Sequence, residues 1–241
     1  MRELRVHNLP KNAAADELAG STVVVIDLLR ATTTICQALA AGATEVVPFL
    51  EVADALTAAA ADRANVVLGG ERGGRRIEGF DLGNSPSEYT QATVGGRRVF
   101  ITTTNGTRAL HHARQAERVL VGAFLNLSAV AESLQNAPRV DILCAGTDGR
   151  ESREDILAAG ALVEKLLVRD SAAWSLNSAA ESALAEWQAR GKDLAIELRA
   201  TPGGENLLAI GHDHDLVDCA QVDALAVVPE LDVSSGRITL P

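Results

Sequence analysis

The apolar run at residues 23–26, VVVI, is the feature that most narrows the choice of fold, because it reads as a buried strand. Its character changes within a few residues. Asp27 and Arg30 bracket two leucines, and Thr32, Thr33 and Thr34 lead into the helix-like stretch TICQALAAGA. A carboxylate, a guanidinium and three hydroxyls thus stand where a strand ends and a helix begins. In open α/β folds that end of the sheet binds ligands, and a helix N-terminus favours anions.

The alternation continues along the chain. Strands are expected at 22–26, 45–50 and 65–68, with helices at 32–41 and 52–63 between them. That βαβαβ order implies an α/β fold with a mainly parallel or mixed sheet flanked by helices. Further strands fall at 97–102, 118–122 and 139–144, with helices at 107–114, 126–134 and 153–167. A long alanine-rich helix is expected over 172–190, and two shorter ones over 194–210, split by Pro202, Gly203 and Gly204. Residues 212–221 read as helical, and 225–229 and 237–240 as closing strands. A length of 241 residues suits one unit, 1–241. The units beginning VVVIDLL, RVFITTT and VDILCAG echo one another, so two similar lobes, 1–95 and 96–241, fit within it.

Residues 69–96 break the pattern with eight glycines and many polar groups. So long a loop in a compact domain is usually functional, and Ile77, Phe80, Leu82 and Tyr89 are spaced to anchor it. Within it, Ser85-Pro86-Ser87-Glu88 reads as a helix start, with Ser85 as N-cap and Glu88 completing a capping box.

The net charge of −10 disfavours nucleic acid and anionic membranes as partners. An anionic substrate would need a local basic pocket, for which 72–76 and 97–98 supply arginines. Three widely spaced cysteines, Cys36, Cys144 and Cys219, make neither a disulfide framework nor a zinc site. The opening MRELRVHNLPKN lacks the apolar core of a signal peptide. No apolar run approaches the ~20 residues that span a bilayer, so a cytoplasmic protein is expected.

Residues 102–107, TTTNGT, follow an apolar strand and offer hydroxyls, an amide and a glycine, a plausible nest for phosphate or sulfonate. Neither a GxxxxGK[ST] loop nor a GxGxxG fingerprint follows any strand. Asp27, Glu71, Asp81, Glu154 and Asp155 fall at or just beyond strand ends. Hard oxygen donors there suit Mg²⁺, which takes one or two carboxylates plus waters and substrate phosphate. Cys144 and Arg150 have the Cys-x5-Arg spacing of cysteine-dependent phosphatases. Asp148 inside that loop and the lack of a neighbouring histidine weigh against it. The DxDxT signature of aspartate-nucleophile phosphatases is missing its second acid after Asp27. His212, Asp213, His214 and Asp215 resemble a metal cluster on paper but read as a capped, solvated helix start.

Taken together, VVVIDLLRATTTI, GERGGRRIEGFDLGNSPSEY, TTTNGTRAL, CAGTDGRESREDILAAG and GHDHDLVDCAQVD with VVPEL resemble the 2-phosphosulfolactate phosphatase family of coenzyme M biosynthesis. The resemblance implies an α/β fold with its own topology and a Mg²⁺-dependent hydrolase that converts 2-phospho-3-sulfolactate to 3-sulfolactate and phosphate. A closely related phosphorylated hydroxy acid is the nearest variant. On that basis Asp27, Glu71 and Asp81 are expected to bind metal or activate water, with Asp155 reaching the metal through water. Arg30 and Arg72 would hold the substrate's anions. Thr32, Thr33, Thr34, Asn84, Ser85, Thr103, Thr104, Asn105, Gly106 and Thr107 would supply hydrogen bonds. The nucleophile is either water or Asp27. The alternatives are a Cys144/Arg150 phosphatase and a non-catalytic binder of phosphometabolites. The helix at 172–190 is a candidate homodimer contact.

Overall fold

The computed structural model describes residues 1–169 and 174–241. Its strands are β1 (Arg2–His7), β2 (Thr22–Ile26), β3 (Glu45–Pro48), β4 (Val66–Arg72), β5 (Arg75–Arg76), β6 (Arg98–Thr102), β7 (Arg118–Val121), β8 (Arg139–Cys144), β9 (Trp174–Leu176), β10 (Glu230–Asp232) and β11 (Arg237–Thr239). They form one 11-stranded sheet in the order β5-β4-β6-β3-β11-β10-β7-β2-β8-β1-β9. The fold is α/β with a mixed sheet flanked by helices, as the alternation implies.

Two parallel sections make up most of the sheet. β4, β6 and β3 form one, and β7, β2, β8, β1 and β9 the other. The hairpin of β10 and β11 joins them through antiparallel pairings to β7 and β3. Strands from 1–95 and from 96–241 interleave, with β6 lying between β4 and β3.

The helices are α1 (Ala31–Ala40), α2 (Val52–Ala60), α3 (Gln91–Val94), α4 (Gly106–His112), α5 (Leu127–Ser133), α6 (Arg153–Arg169), α7 (Ser178–Arg190), α8 (Leu194–Arg199), α9 (Pro202–Ala209) and α10 (Asp213–Cys219). Every residue of β2 is buried, which is why Val23–Ile26 is an unbroken apolar run: helices cover both faces of a parallel strand. A separate apolar cluster of Ala55, Ala59, Val66, Leu68, Phe80 and Phe100 seats α2 on β4 and β6. No described helix is long and apolar enough to cross a membrane.

Several expectations change on the structure. β4 runs through Gly69 and Gly70 to Arg72, so Glu71 is a strand residue rather than part of a loop. Residues Trp174–Leu176 form an edge strand beside β1, and the helix expected from residue 172 begins at Ser178; Ala172 and Ala173 lie outside the described residues. The two helices expected over 194–210 are α8 and α9, but the break falls at Ala200 and Thr201; Pro202, Gly203 and Gly204 form the first turn of α9, where Thr201 caps by accepting from the Gly204 N–H. Proline belongs there because its missing N–H is unneeded in a first turn. Residues 225–229 are not a strand; the closing strand β10 starts at Glu230.

Candidate active site

A cavity of about 370 Å³ opens where the carboxyl ends of both parallel sections meet. Asp27 follows β2, Glu71 sits near the end of β4, and Thr104 and Asn105 follow β6. Arg30, Gly73, Gly74, Asn84, Thr147, Asp148, Gly203 and Asn206 complete much of the lining. Among the described residues Arg30 is the only cationic side chain in that lining, against the acids Asp27, Glu71 and Asp148.

Asp27 is held from several sides. Its backbone carbonyl accepts from both the N–H and the hydroxyl of Thr32, each at 2.9 Å. The Ala31 N–H approaches its Oδ1 at 3.4 Å. Gly106 packs against the carboxylate: a Cβ there would lie 2.7 Å from Oδ2 and 2.5 Å from Ala31 Cβ, so only glycine fits without displacing the acid. Burial, and then the neighbouring charges of Glu71 and Glu154, push the Asp27 carboxyl up to about 7. Glu71 is itself buried, and both of its oxygens are fixed by backbone, Oε1 by the Thr104 N–H and Oε2 by the Gly74 N–H, at 2.8 Å each.

Glu154 and Asp155 share the first turn of α6 and differ sharply. Asp155 spends both oxygens on backbone donors, Leu28 N–H at 2.8 Å and Gly146 N–H at 3.0 Å, which pins the loop after β2 to the loop after β8. It is therefore a brace. Glu154 is equally buried, yet its Oε2 has no partner. Burial raises its carboxyl above the usual range. Gly203 lies against its other oxygen, where a Cβ would come within 2.1 Å. Glu154 is thus the residue that the sequence reading passed over in favour of Asp155. The signal that separates them is an unused acceptor, which no local pattern carries.

The other sequence-derived candidates divide in the same way. Asp81 lies outside the cavity lining: Arg63 Nη2 binds its Oδ1 at 2.6 Å and the Leu68 N–H its Oδ2 at 2.8 Å, so it closes a turn against β4. Arg72 is exposed and hydrogen-bonds the carbonyls of Glu71 and Leu50. Arg97 and Arg98 are likewise engaged elsewhere, on Thr93 O and on Glu45. The expected basic pocket of 72–76 and 97–98 is therefore replaced by Arg30.

The three threonine hydroxyls serve the backbone, Thr32 on Asp27 O, Thr33 on Leu28 O and Thr34 on Asn84 O. Thr103 and Thr107 bond each other's backbone at the start of α4. Thr104 and Asn84, by contrast, line the cavity with buried side-chain oxygens, Oγ1 and Oδ1, that lack partners. Buried polar atoms without partners are uncommon and mark places where a ligand or water completes the bonding.

Ser85 precedes a short 3-10 turn, Pro86–Glu88, and makes no capping bond. The expected capping box gives way to two tertiary contacts: Ser85 Oγ donates to Asp215 Oδ1, and Glu88 accepts from the Gly83 N–H at 2.5 Å. His212 likewise makes no side-chain cap on α10. His212, His214 and Asp215 bring their ligand atoms within 4.8 Å of one another. The Asp215 oxygens, however, are already engaged by Arg30 Nη1 at 2.5 Å and by Ser85.

Cys144 is fully buried and outside the lining, and burial, followed by Asp155 and Glu151, pushes its thiol well above its usual value. Arg150 is exposed. A thiolate nucleophile has no support in that setting.

Comparison with known proteins agrees along nearly the whole chain. A family model described as 2-phosphosulpholactate phosphatase matches residues 7–233. Among similar proteins, a probable 2-phosphosulfolactate phosphatase of Symbiobacterium thermophilum is 43% identical over 231 residues, covering 94% of this chain and 97% of its own. Proteins of the same description from Parasynechococcus marenigrum and Caldanaerobacter subterraneus are 44% and 41% identical, covering 92% and 89% of this chain and 91% and 89% of their own.

Proposed function

Because the chain belongs to the 2-phosphosulpholactate phosphatase family, and is thus a phosphoric monoester hydrolase, we propose that the cavity around Asp27 hydrolyses 2-phospho-3-sulfolactate to 3-sulfolactate and inorganic phosphate. The observation that carries this reading is that Asp27 and Glu71 line the cavity together with Arg30, while Glu154, just outside the lining, bears on the Asp27 carboxyl. Like charges so placed are costly unless a cation or protons compensate them.

The donor set fits Mg²⁺. It offers hard carboxylate oxygens on Asp27 and Glu71, with a buried, unpartnered oxygen on nearby Glu154, and among the described residues no thiol or imidazole lines the cavity. Asp27, Glu71 and Glu154 would hold the ion. When bound, it would neutralise phosphoryl oxygens and lower the pKa of a coordinated water.

The remaining work falls to the chain. Arg30 receives an anionic group of the substrate through charge-assisted hydrogen bonds. Asn84 and Thr104 complete their bonding on the substrate or its waters. The backbone anchors on Glu71 keep its carboxylate from swinging, so the site is ordered before substrate arrives. Water attacks phosphorus as the bond to the C2 oxygen breaks. The Asp27 carboxylate takes the water's proton and returns one to the leaving oxygen, which leaves as the free hydroxyl.

The test is phosphate release from phosphosulfolactate, with phospholactate and phosphoglycerate as comparators. Turnover should be fastest on the sulfonate and should vanish in EDTA and return with Mg²⁺. Full activity in EDTA would overturn the metal role, and no preference for the sulfonate would overturn the substrate.

A further inference from the structure

Asp215 lies far from the other site residues in sequence, on the first turn of α10, and is completely buried. A carboxylate in that position is costly unless it is paired and hydrogen-bonded. It is both. Arg30 Nη1 meets Oδ2 at 2.5 Å, and Ser85 Oγ donates to Oδ1. His214 Nε2 stands 3.3 Å from Oδ1, and His212 Nδ1 3.5 Å from Oδ2.

Arg30 is gripped a second time. Its Nη2 donates to the Gly74 carbonyl at 2.6 Å, on the turn between β4 and β5. Two bonds from different nitrogens fix the plane of a guanidinium, which has five N–H donors in a rigid fork. The donors left over belong to the one cationic side chain in the cavity lining among the described residues. A surface arginine would lose conformational freedom each time it bound an anion; this one has lost it beforehand.

We propose that Asp215 is a positioning residue: through its buried pair with Arg30, and with Ser85 holding its second oxygen, it presents the guanidinium in the orientation that binds the substrate's anionic group. The role rests on the reading that Arg30 binds that anion. It also accounts for Ser85, whose expected part at a helix start is absent. Asp215 acts only through Arg30, so its removal should weaken substrate binding and leave the chemical step alone.

The experiment is a double-mutant cycle read in KM and kcat for phosphosulfolactate hydrolysis, with Arg30→Gln, Asp215→Asn and the pair together. Arg30→Gln should raise KM roughly 30-fold, as loss of a charged hydrogen bond does. Asp215→Asn should raise KM about tenfold with kcat changed less than about threefold, and should add less than about twofold in the Arg30→Gln background. Ser85→Ala, a milder change, should raise KM about threefold in the native background and not in Arg30→Gln. It carries the test if Asp215→Asn does not fold. Equal KM effects of Asp215→Asn in both backgrounds, or no effect while Arg30→Gln is impaired, would overturn the positioning role alone. An Arg30→Gln enzyme with unchanged KM would overturn the anion clamp, and the Asp215 role with it.

Discussion

The acids around Asp27 and the acid beneath Arg30 bury negative charge in opposite ways. Asp215 has its charge matched by a guanidinium and a hydroxyl, and so it is complete within the protein. Glu71 and Glu154 both press their charge on Asp27, whose carboxyl is lifted to about 7, and an oxygen of Glu154 is left without a partner. The saturated acid can only hold something else in place. The unsaturated group wants a cation and a proton, and those are what a phosphatase site must manage. Two clusters built from the same residue types are therefore told apart by their unused bonding capacity.

The largest effect expected from this contrast is on Asp27. Asp27→Asn should lower kcat on the order of 10³-fold, the range for a positioned acid–base group, with KM little changed. The measurement is steady-state phosphate release, and a defect confined to KM would place Asp27 with the clamp instead.

A middle-sized effect concerns stability without metal. The folded-state carboxyl of Asp27 lies above its unfolded value, 3.8 rising to about 7. The folded protein therefore holds the proton more tightly, and stability is lost as pH rises through that window. Glu154 and Asp155 shift in the same direction. In EDTA the melting temperature should fall by roughly 5 °C between about pH 5 and pH 8, and Mg²⁺ should remove most of that fall. Glu154→Gln should flatten the same curve, because it deletes a like charge. A profile indifferent to Mg²⁺ would separate the acid cluster from metal binding.

The smallest effect is at Asp81, which the sequence places beside Glu71 in one glycine-rich stretch. Its pair with Arg63 is partly exposed, at 35% and 46% for the two side chains, and such pairs contribute about 0–1 kcal/mol. The bond to the Leu68 N–H adds a comparable amount. Asp81→Asn should cost about 1 kcal/mol in urea denaturation and leave kcat/KM unchanged. A catalytic defect there would return Asp81 to the site.

The strand–helix alternation was legible because its signals are local. Apolar runs and polar turns each act over a few residues. Mistakes in the fold arose where tertiary context overrode them: β4 continues through two glycines because β6 pairs with it residue by residue, and Trp174–Leu176 becomes a strand because β1 offers an open edge. Within the site, Asp27, Glu71, Arg30, Asn84, Thr104 and Asn105 were legible as polar residues close to strand ends, and the cavity does collect them. Asp155 and Thr32, Thr33 and Thr34 were polar residues in similar settings whose bonds turned inward to backbone groups, some of them far off in sequence: Asp155 to Leu28, 127 residues away, and Thr34 to Asn84.

The sequence by itself determined the order of most strands and helices, and hence which turns could carry polar groups, since period and turn chemistry are properties of neighbouring residues. The tertiary structure decided which of those groups keep a free oxygen or N–H. Desolvation and pairing depend on what arrives from elsewhere: Gly203 against Glu154, Ser85 and Arg30 on Asp215, and the backbone of Thr104 and Gly74 on Glu71.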